Sequence, residues 1–248
     1  MRSLRTPQSN LPIEHVVVVV PARDEELLVG RCLAALQAAR QAARAVVPDL
    51  TVDLVLVLDR CTDGTRSVAL GHLDVRLVDL DEGRVGAARA AGVRDALDRA
   101  TTAPDRTWLA GTDADSAVPE GWILEHVRLA DAGADVVVGT VRPDPDDLTP
   151  TQLAGWRATR VPGRPNGHVH GANLGVRADA YLRAGGFPDR PAHEDVDLVA
   201  ALVASGARVV ATDTCDVITS GRLVGRAPTG YADYLRSRFG ADDEAESA

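Results

Sequence analysis

The chain contains no lysine, so each of its 27 strongly basic side chains is an arginine. Against 36 acidic residues this leaves a formal net charge of −9, which argues against a nucleic-acid phosphate backbone as partner. An arginine cluster beside acidic residues is correspondingly informative. Aromatic residues make up 3% of the chain, too few to supply stacking platforms for bases. A core must therefore be built from Val, Leu and Ala. The three cysteines, Cys32, Cys61 and Cys215, are odd in number and show neither metal-ligand nor CxxC spacing. They argue against a disulfide framework or a structural zinc site and fit a reducing cytosol. The longest apolar run begins at Val16 and breaks at Pro21, too short to cross a membrane, and MRSLRTPQSN leads into no signal-peptide core. The expectation is a soluble, cytoplasmic protein.

Within 248 residues, short Val/Leu runs alternate with longer amphipathic segments. HVVVVV (15–20) reads as a strand buried on both faces. Leu27, Leu28, Cys32, Leu33 and Leu36 then share one side of a helix. Strands follow at 52–59, 75–80, 107–113 and 134–141, with a small-residue helix at 83–100 and another helix carrying Pro119 near its start. Such alternation predicts one α/β domain, a mostly parallel Rossmann-like sheet with helices on both faces. Beyond Arg142 the chain turns rich in Pro, Gly and charge around a short helix at 152–158, before returning to order. An N-terminal half (about 12–142) and a C-terminal half (about 143–235) are expected to serve different ligands. The acidic tail 240–248 is expected to be disordered.

In open parallel sheets, ligands bind outside the carboxyl ends of the strands. Each polar cluster of the first half falls at such an end: PARDEE, DRCTDGT, DEGRVGAARAAG and DADS. Asp59 and Asp63 can accept hydrogen bonds from a base or ribose, Gly83 and Gly86 allow close approach, and Arg84 and Arg89 can steer an anion. Asp113 and Asp115 are two apart, so in an extended segment they face one point. Two readings of that pair stay open from the residues alone: a solvated strand end that caps the next helix, or a cation site.

Six segments in order, VVVVVPARDEE, LVLDRCTDGT, GRVGAARAAGV, WLAGTDADS, GANLGVRADAYLRAGGF and HEDVDL, resemble the family 2 glycosyltransferases of the GT-A fold. The resemblance covers roughly residues 15 to 200. It implies that Pro21, Ala22, Arg23 and Glu25 line a nucleotide pocket and that Asp59 contacts the base. Gly86, Arg89, Asp113 and Ala114 would complete the nucleotide-sugar site. Asp113 and Asp115 look like the DxD motif, which would hold Mn²⁺ or Mg²⁺ against the diphosphate of the donor. Gly171, Ala172 and Asn173 would lie under the donor sugar. By resemblance to the ED motif, Asp195 is the general base toward an acceptor hydroxyl, with Glu194 as its neighbour, and inversion would follow. Helix capping is the other reading of these acids. His168 and His170 sit on a loop that could close over the acceptor, and a solvated loop is the plainer reading.

The chain also departs from the family. No histidine follows His193 to add a metal ligand; Arg222 and Arg226 stand late in the chain instead and could meet the diphosphate. The QxxRW signature of processive synthases is absent, which favours transfer of one sugar to a soluble or lipid-linked acceptor. A nucleotidyltransferase, a two-carboxylate glycoside hydrolase and a non-catalytic nucleotide-sugar-binding subunit are the competing readings. The first would open with a glycine-rich loop carrying lysine, which PARDEE does not.

Overall fold

The computed structural model describes residues 11–190, 193–225 and 230–240. The opening decapeptide, Arg226 and the tail 241–248 lie outside them.

Five consecutive valines explain the position of β1 (His15–Ala22) in the middle of the parallel half of the sheet. β-Branched side chains favour extended backbone, and a strand apolar on both sides has no face to show to water. Val16, Val18 and Val20 enter one core and Val17 and Val19 the other, none more than 3% exposed. β2 (Thr51–Asp59) pairs parallel to β1, and β3 (Val75–Leu80) parallel to β2. β4 (Thr107–Gly111) lies parallel along the other side of β1. The remaining strands are β5 (Ser116–Ala117), β6 (Val136–Pro143), β7 (Leu174–Arg177) and β8 (Val209–Thr219).

Among the described residues the order is β3-β2-β1-β4-β7-β6-β8-β5. β7 is antiparallel to both β4 and β6, β8 is parallel to β6, and β5 is antiparallel to β8. All strands except β5 and β7 therefore point the same way. Because β7 runs backwards, its start lies at the edge where the others end, and the residues just before it join that edge.

Helices cover both faces. α1 (Val29–Val46) and α4 (Trp122–Asp131) pack through Leu33, Leu36, Trp122 and Ile123 on one side; the short α2 (Thr65–Leu70) adds Ala69. α3 (Val85–Arg99), α6 (Ala178–Arg183) and α7 (Glu194–Ala204) pack through Ala88, Val93, Tyr181, Leu198 and Leu202 on the other. Each fully buried aliphatic side chain contributes about 1.5–3 kcal/mol relative to exposure. α5 (Pro150–Ala158) starts two residues before its expected position, at a Thr149/Gln152 capping box, and α8 (Tyr231–Phe239) closes the described chain.

One local expectation changes. β4 ends at Gly111, not Asp113, and residues 113–116 form a turn in which Ser116 N donates to Asp113 O at 3.0 Å. The two aspartates are thus brought together by a turn and not by strand alternation. The reason is register: β4 pairs with β7 only over Trp108–Gly111, and its last backbone contact with β1 is a long one from Thr112 N to Val19 O at 3.4 Å.

Candidate active site at the carboxyl edge

The loops at this edge are stitched together by carboxylates that accept backbone N–H groups. Asp59 at the end of β2 accepts from Glu82 N (2.9 Å), Gly83 N (2.8 Å) and Arg84 N (2.9 Å), which holds the approach to α3. Asp24, held in the left-handed region at φ 51°, accepts from Thr62 N at 2.7 Å. Asp63 accepts from Glu26 N at 3.0 Å and from Thr65. Ligand-capable atoms of Asp24, Cys61 and Asp63 lie within 4.8 Å of one another, but the two carboxylates already serve these loops. Pro21 and Ala22 end β1, and Arg23 is exposed beyond them. Glu25 is buried, its N–H donating to Thr65 Oγ1 at 2.8 Å.

Arg89 on α3 is the centre of the arrangement. Its side chain is 4% exposed. Nη2 donates to Asp113 Oδ1 in the turn after β4, and Nε to Glu194 Oε1 at 3.3 Å at the start of α7. Its Nη1 is buried without a partner. One guanidinium therefore joins two acidic motifs that lie about eighty residues apart in sequence. Two glycines make room for it. A Cβ on Gly171 would come within 2.5 Å of Arg89 Nη2, and one on Gly86 within 3.0 Å of the Glu194 side chain. At Gly86 the missing side chain leaves space that Glu194 fills.

Asp115 carries its own arginine. Arg222, after β8, places Nη2 2.7 Å from Asp115 Oδ2 and 2.9 Å from Glu25 Oε1, with Nη1 3.2 Å from Glu25 Oε2. Ser116 Oγ and Thr219 Oγ1 also reach Asp115 Oδ1, at 3.3 and 3.4 Å. Burial pushes the Asp115 carboxyl up to about 6, helped by Asp113 and Glu25 and opposed by Arg222. Asp113 keeps more of its side chain in water, 35% against 13% for Asp115. Ala114 between them points into the core at 2% exposure.

At the start of α7, His193 takes the left-handed conformation at φ 62° and turns the chain into the helix. Burial raises the Glu194 carboxyl, with Arg89 opposing and Asp195 adding to the rise. Asp195 is half-buried; its Oδ2 accepts from Gly171 N at 2.7 Å and Oδ1 from Val196 N at 2.8 Å. The capping role weighed for these acids is thus partly real, and it also fixes Asp195 beside the segment that leads into β7. Asp197 pairs with Arg190 at the surface.

Ala172 and Asn173 are buried. Asn173 uses its whole side chain inside the fold. Nδ2 donates to Thr140 O (2.8 Å) and Cys215 O (2.9 Å), and Oδ1 accepts from Trp122 Nε1 (2.8 Å) and faces His126 Nε2 (3.4 Å). Burial lowers His126 to about 4, so it is a neutral partner at pH 7. These four contacts use every hydrogen-bonding position of the Asn173 amide. His168 is exposed, while burial and then His168 lower His170 to about 4. Their rings pack on α8: His170 lies edge-on to Tyr231 at 5.8 Å and His168 lies 6.3 Å from Tyr234.

The described residues thus bring together Glu25, Arg89, Asp113, Asp115, Glu194 and Arg222, with Asp195 and Gly171 alongside. Thr219 and Ser116, which support Asp115, were not singled out from the sequence. No local signal marks them, because they meet only through the pairing of β5 with β8.

The model of the family described as glycosyl transferase family 2 matches residues 17–181, more than half of the chain. The chain belongs to that family. No curated protein matches it. Solved structures share the fold. The mannosyltransferase PcManGT from Pyrobaculum calidifontis, in complex with GDP-Man and Mn²⁺, is 20% identical with a TM-score of 0.63, covering 98% of this chain and 68% of that one. TarS 1-349 from S. aureus is 15% identical with a TM-score of 0.61, over 84% of this chain; this chain spans 60% of its length. Glucosyl-3-phosphoglycerate synthase from Mycobacterium tuberculosis, in complex with phosphoglyceric acid, is 15% identical with a TM-score of 0.58, covering 92% and 80%. At these identities the likeness is one of fold. No helix among the described residues is long and apolar enough to cross a membrane.

Proposed function

We propose that the chain transfers a single hexose from a UDP- or GDP-linked sugar to an acceptor hydroxyl, soluble or lipid-linked, with inversion and with help from Mn²⁺ or Mg²⁺. Residues of about 12–142 receive the donor and those of about 143–235 the acceptor. The observation that carries this reading is the joining of both acidic motifs through one buried arginine at the edge where the strands end.

The residues fit a hard divalent cation. Asp113 and Asp115 offer oxygen only. In the connected network, four carboxylates (Glu25, Asp113, Asp115, Glu194) meet two guanidiniums, so an excess of negative charge stands ready for a cation. When bound, the metal offsets the charge that develops on the leaving diphosphate. Asp113 and Asp115 would hold it. Asp195, oriented by Gly171 N and Val196 N, takes the proton of the acceptor hydroxyl as the bond from that oxygen to the anomeric carbon forms and the bond to the phosphate oxygen breaks. Attack from the face opposite the leaving group inverts the centre. Glu194 and Arg89 set the position of α7 against the turn at 113–116. The loop with His168 and His170 flanks the acceptor. The free thiols Cys32, Cys61 and Cys215 support a cytoplasmic setting.

Calorimetric titration with UDP, GDP, CDP and dTDP, with and without Mn²⁺, tests the donor site. One nucleotide is expected to bind with metal and to be lost in Asp115→Ala. Once the donor is known, Asp195→Asn is expected to lower kcat by about 10²–10⁴-fold while nucleotide affinity stays as in the wild type. Binding of none of the four nucleotides sinks the donor-site reading. An Asp195→Asn enzyme of full activity sinks the choice of base.

A further inference from the structure

Arg222 is the one guanidinium in this network that touches the inner aspartate of the DAD turn. It sits where an incoming cation would need that aspartate: 2.7 Å from Asp115 Oδ2, and bound by both Nη atoms to Glu25. Asp115 Oδ1 is already turned toward Ser116 and Thr219, so Oδ2 is the oxygen that Arg222 occupies. The backbone under Arg222 is tied down. Ser220 N donates to Asp115 O at 3.1 Å, and Gly221 N donates to Asp147 Oδ2 at 2.7 Å. The guanidinium itself is on a long side chain, 31% exposed, that can change partners without moving this backbone.

We infer that Arg222 is an internal counter-ion that keeps Asp115 from a divalent cation until a nucleoside diphosphate draws the guanidinium away. The inference rests on the metal-assisted reading above. Its physical basis is competition between two cations for one carboxylate. With no diphosphate present, a metal must displace Arg222 from Asp115 and leave it on Glu25. A diphosphate offers the guanidinium a bidentate anionic partner, and Asp115 Oδ2 is released. Nucleotide and cation then favour each other's binding, beyond any direct contact between them, and the effect is the same in both directions. Arg89 does not play this part: it is held between two carboxylates and is 4% exposed.

The test is Mn²⁺ binding to the full chain without nucleotide, read by electron paramagnetic resonance of free Mn²⁺ and by the metal-induced rise in Tm. Arg222→Gln is expected to bind Mn²⁺ about tenfold more tightly than the wild type. The gain in Mn²⁺ affinity on adding UDP or GDP is expected to be about tenfold smaller in that variant than in the wild type. Arg222→Lys retains the positive charge but not the two-nitrogen grip on Glu25, and is expected to bind Mn²⁺ more weakly than Arg222→Gln, which separates loss of charge from damage to the loop. Asp115→Asn should remove Mn²⁺ binding in either background. Equal Mn²⁺ affinity in the wild type and Arg222→Gln, with Asp115→Asn still blind to Mn²⁺, overturns the role of Arg222 and leaves the metal site standing. Absence of Mn²⁺ binding in every form, with and without nucleotide, overturns the metal reading itself and the inference with it.

Discussion

The turn at 113–116 and the start of α7 carry the same chemistry, two acids close in sequence, and both lean on Arg89. They differ in how their charge is balanced. In the turn each acid meets a different arginine, Asp113 the Arg89 that also holds Glu194, and Asp115 the Arg222 that also holds Glu25. At the helix, Arg89 donates to Glu194, and Asp195 accepts from the backbone N–H groups of Gly171 and Val196. Ion pairs with a long, partly exposed arginine can be exchanged for other ions. A carboxylate fixed by the backbone cannot move. The turn is therefore suited to receiving a cation and an anion, and the helix start to presenting one acid in a set orientation.

The strongest way to break this comparison is to remove what the two regions share. Arg89→Met keeps the bulk and removes the charge from between Asp113 and Glu194. A buried carboxylate left without its partner costs about 3–5 kcal/mol, so urea denaturation should show a loss of that order. A loss below about 1 kcal/mol would mean that the two motifs are held by the packing of α3 and not by the guanidinium.

A smaller effect separates the two regions by pH. Asp115 has its carboxyl raised to about 6 from 3.8, chiefly by burial. Its folded form therefore holds a proton that the unfolded chain releases, and its contribution to stability is full below about 3.8 and lost as pH rises through about 6. In Asp115→Asn that loss is absent. The difference in unfolding free energy between variant and wild type should move in favour of the variant from about pH 4 to about pH 6 and be flat above, reaching about 1–3 kcal/mol. A difference that does not change with pH over this range would show that Arg222 fully offsets the burial.

The smallest effect bounds the second region. Asp197 shares the first turn of α7 with Glu194 and Asp195, but its partner is the exposed Arg190, at 3.0 Å. Asp197→Ala should change stability by less than about 0.5 kcal/mol and leave kcat and KM as they are. A fall in kcat would extend the functional part of the motif to its third acid.

Much of the fold was legible in the chain. Runs such as Val16–Val20 and Leu54–Leu58 can only be strands buried on both faces, and the helices between them show their apolar side through residues such as Leu33 and Leu36. The placing of polar clusters after these strands pointed to one edge of the sheet. The turn at 113–116 was less legible, because the end of β4 depends on where β1 and β7 stop pairing with it. The inward partners of Asn173 were not legible either, since nothing in GANLGVR tells of Trp122, Thr140 and Cys215 waiting for its amide.

Residue chemistry and spacing were enough for the strand–helix alternation of the first half and for the α/β class, because hydrophobic period and local turn residues act over a few positions. Which charge answers which was settled by folding alone. Arg89 reaches Asp113 and Glu194, and Arg222 reaches Asp115 and Glu25, across 24, 105, 107 and 197 positions respectively. Coulomb forces at contact depend on distance in space and on burial, and neither is written in the spacing of residues along a chain.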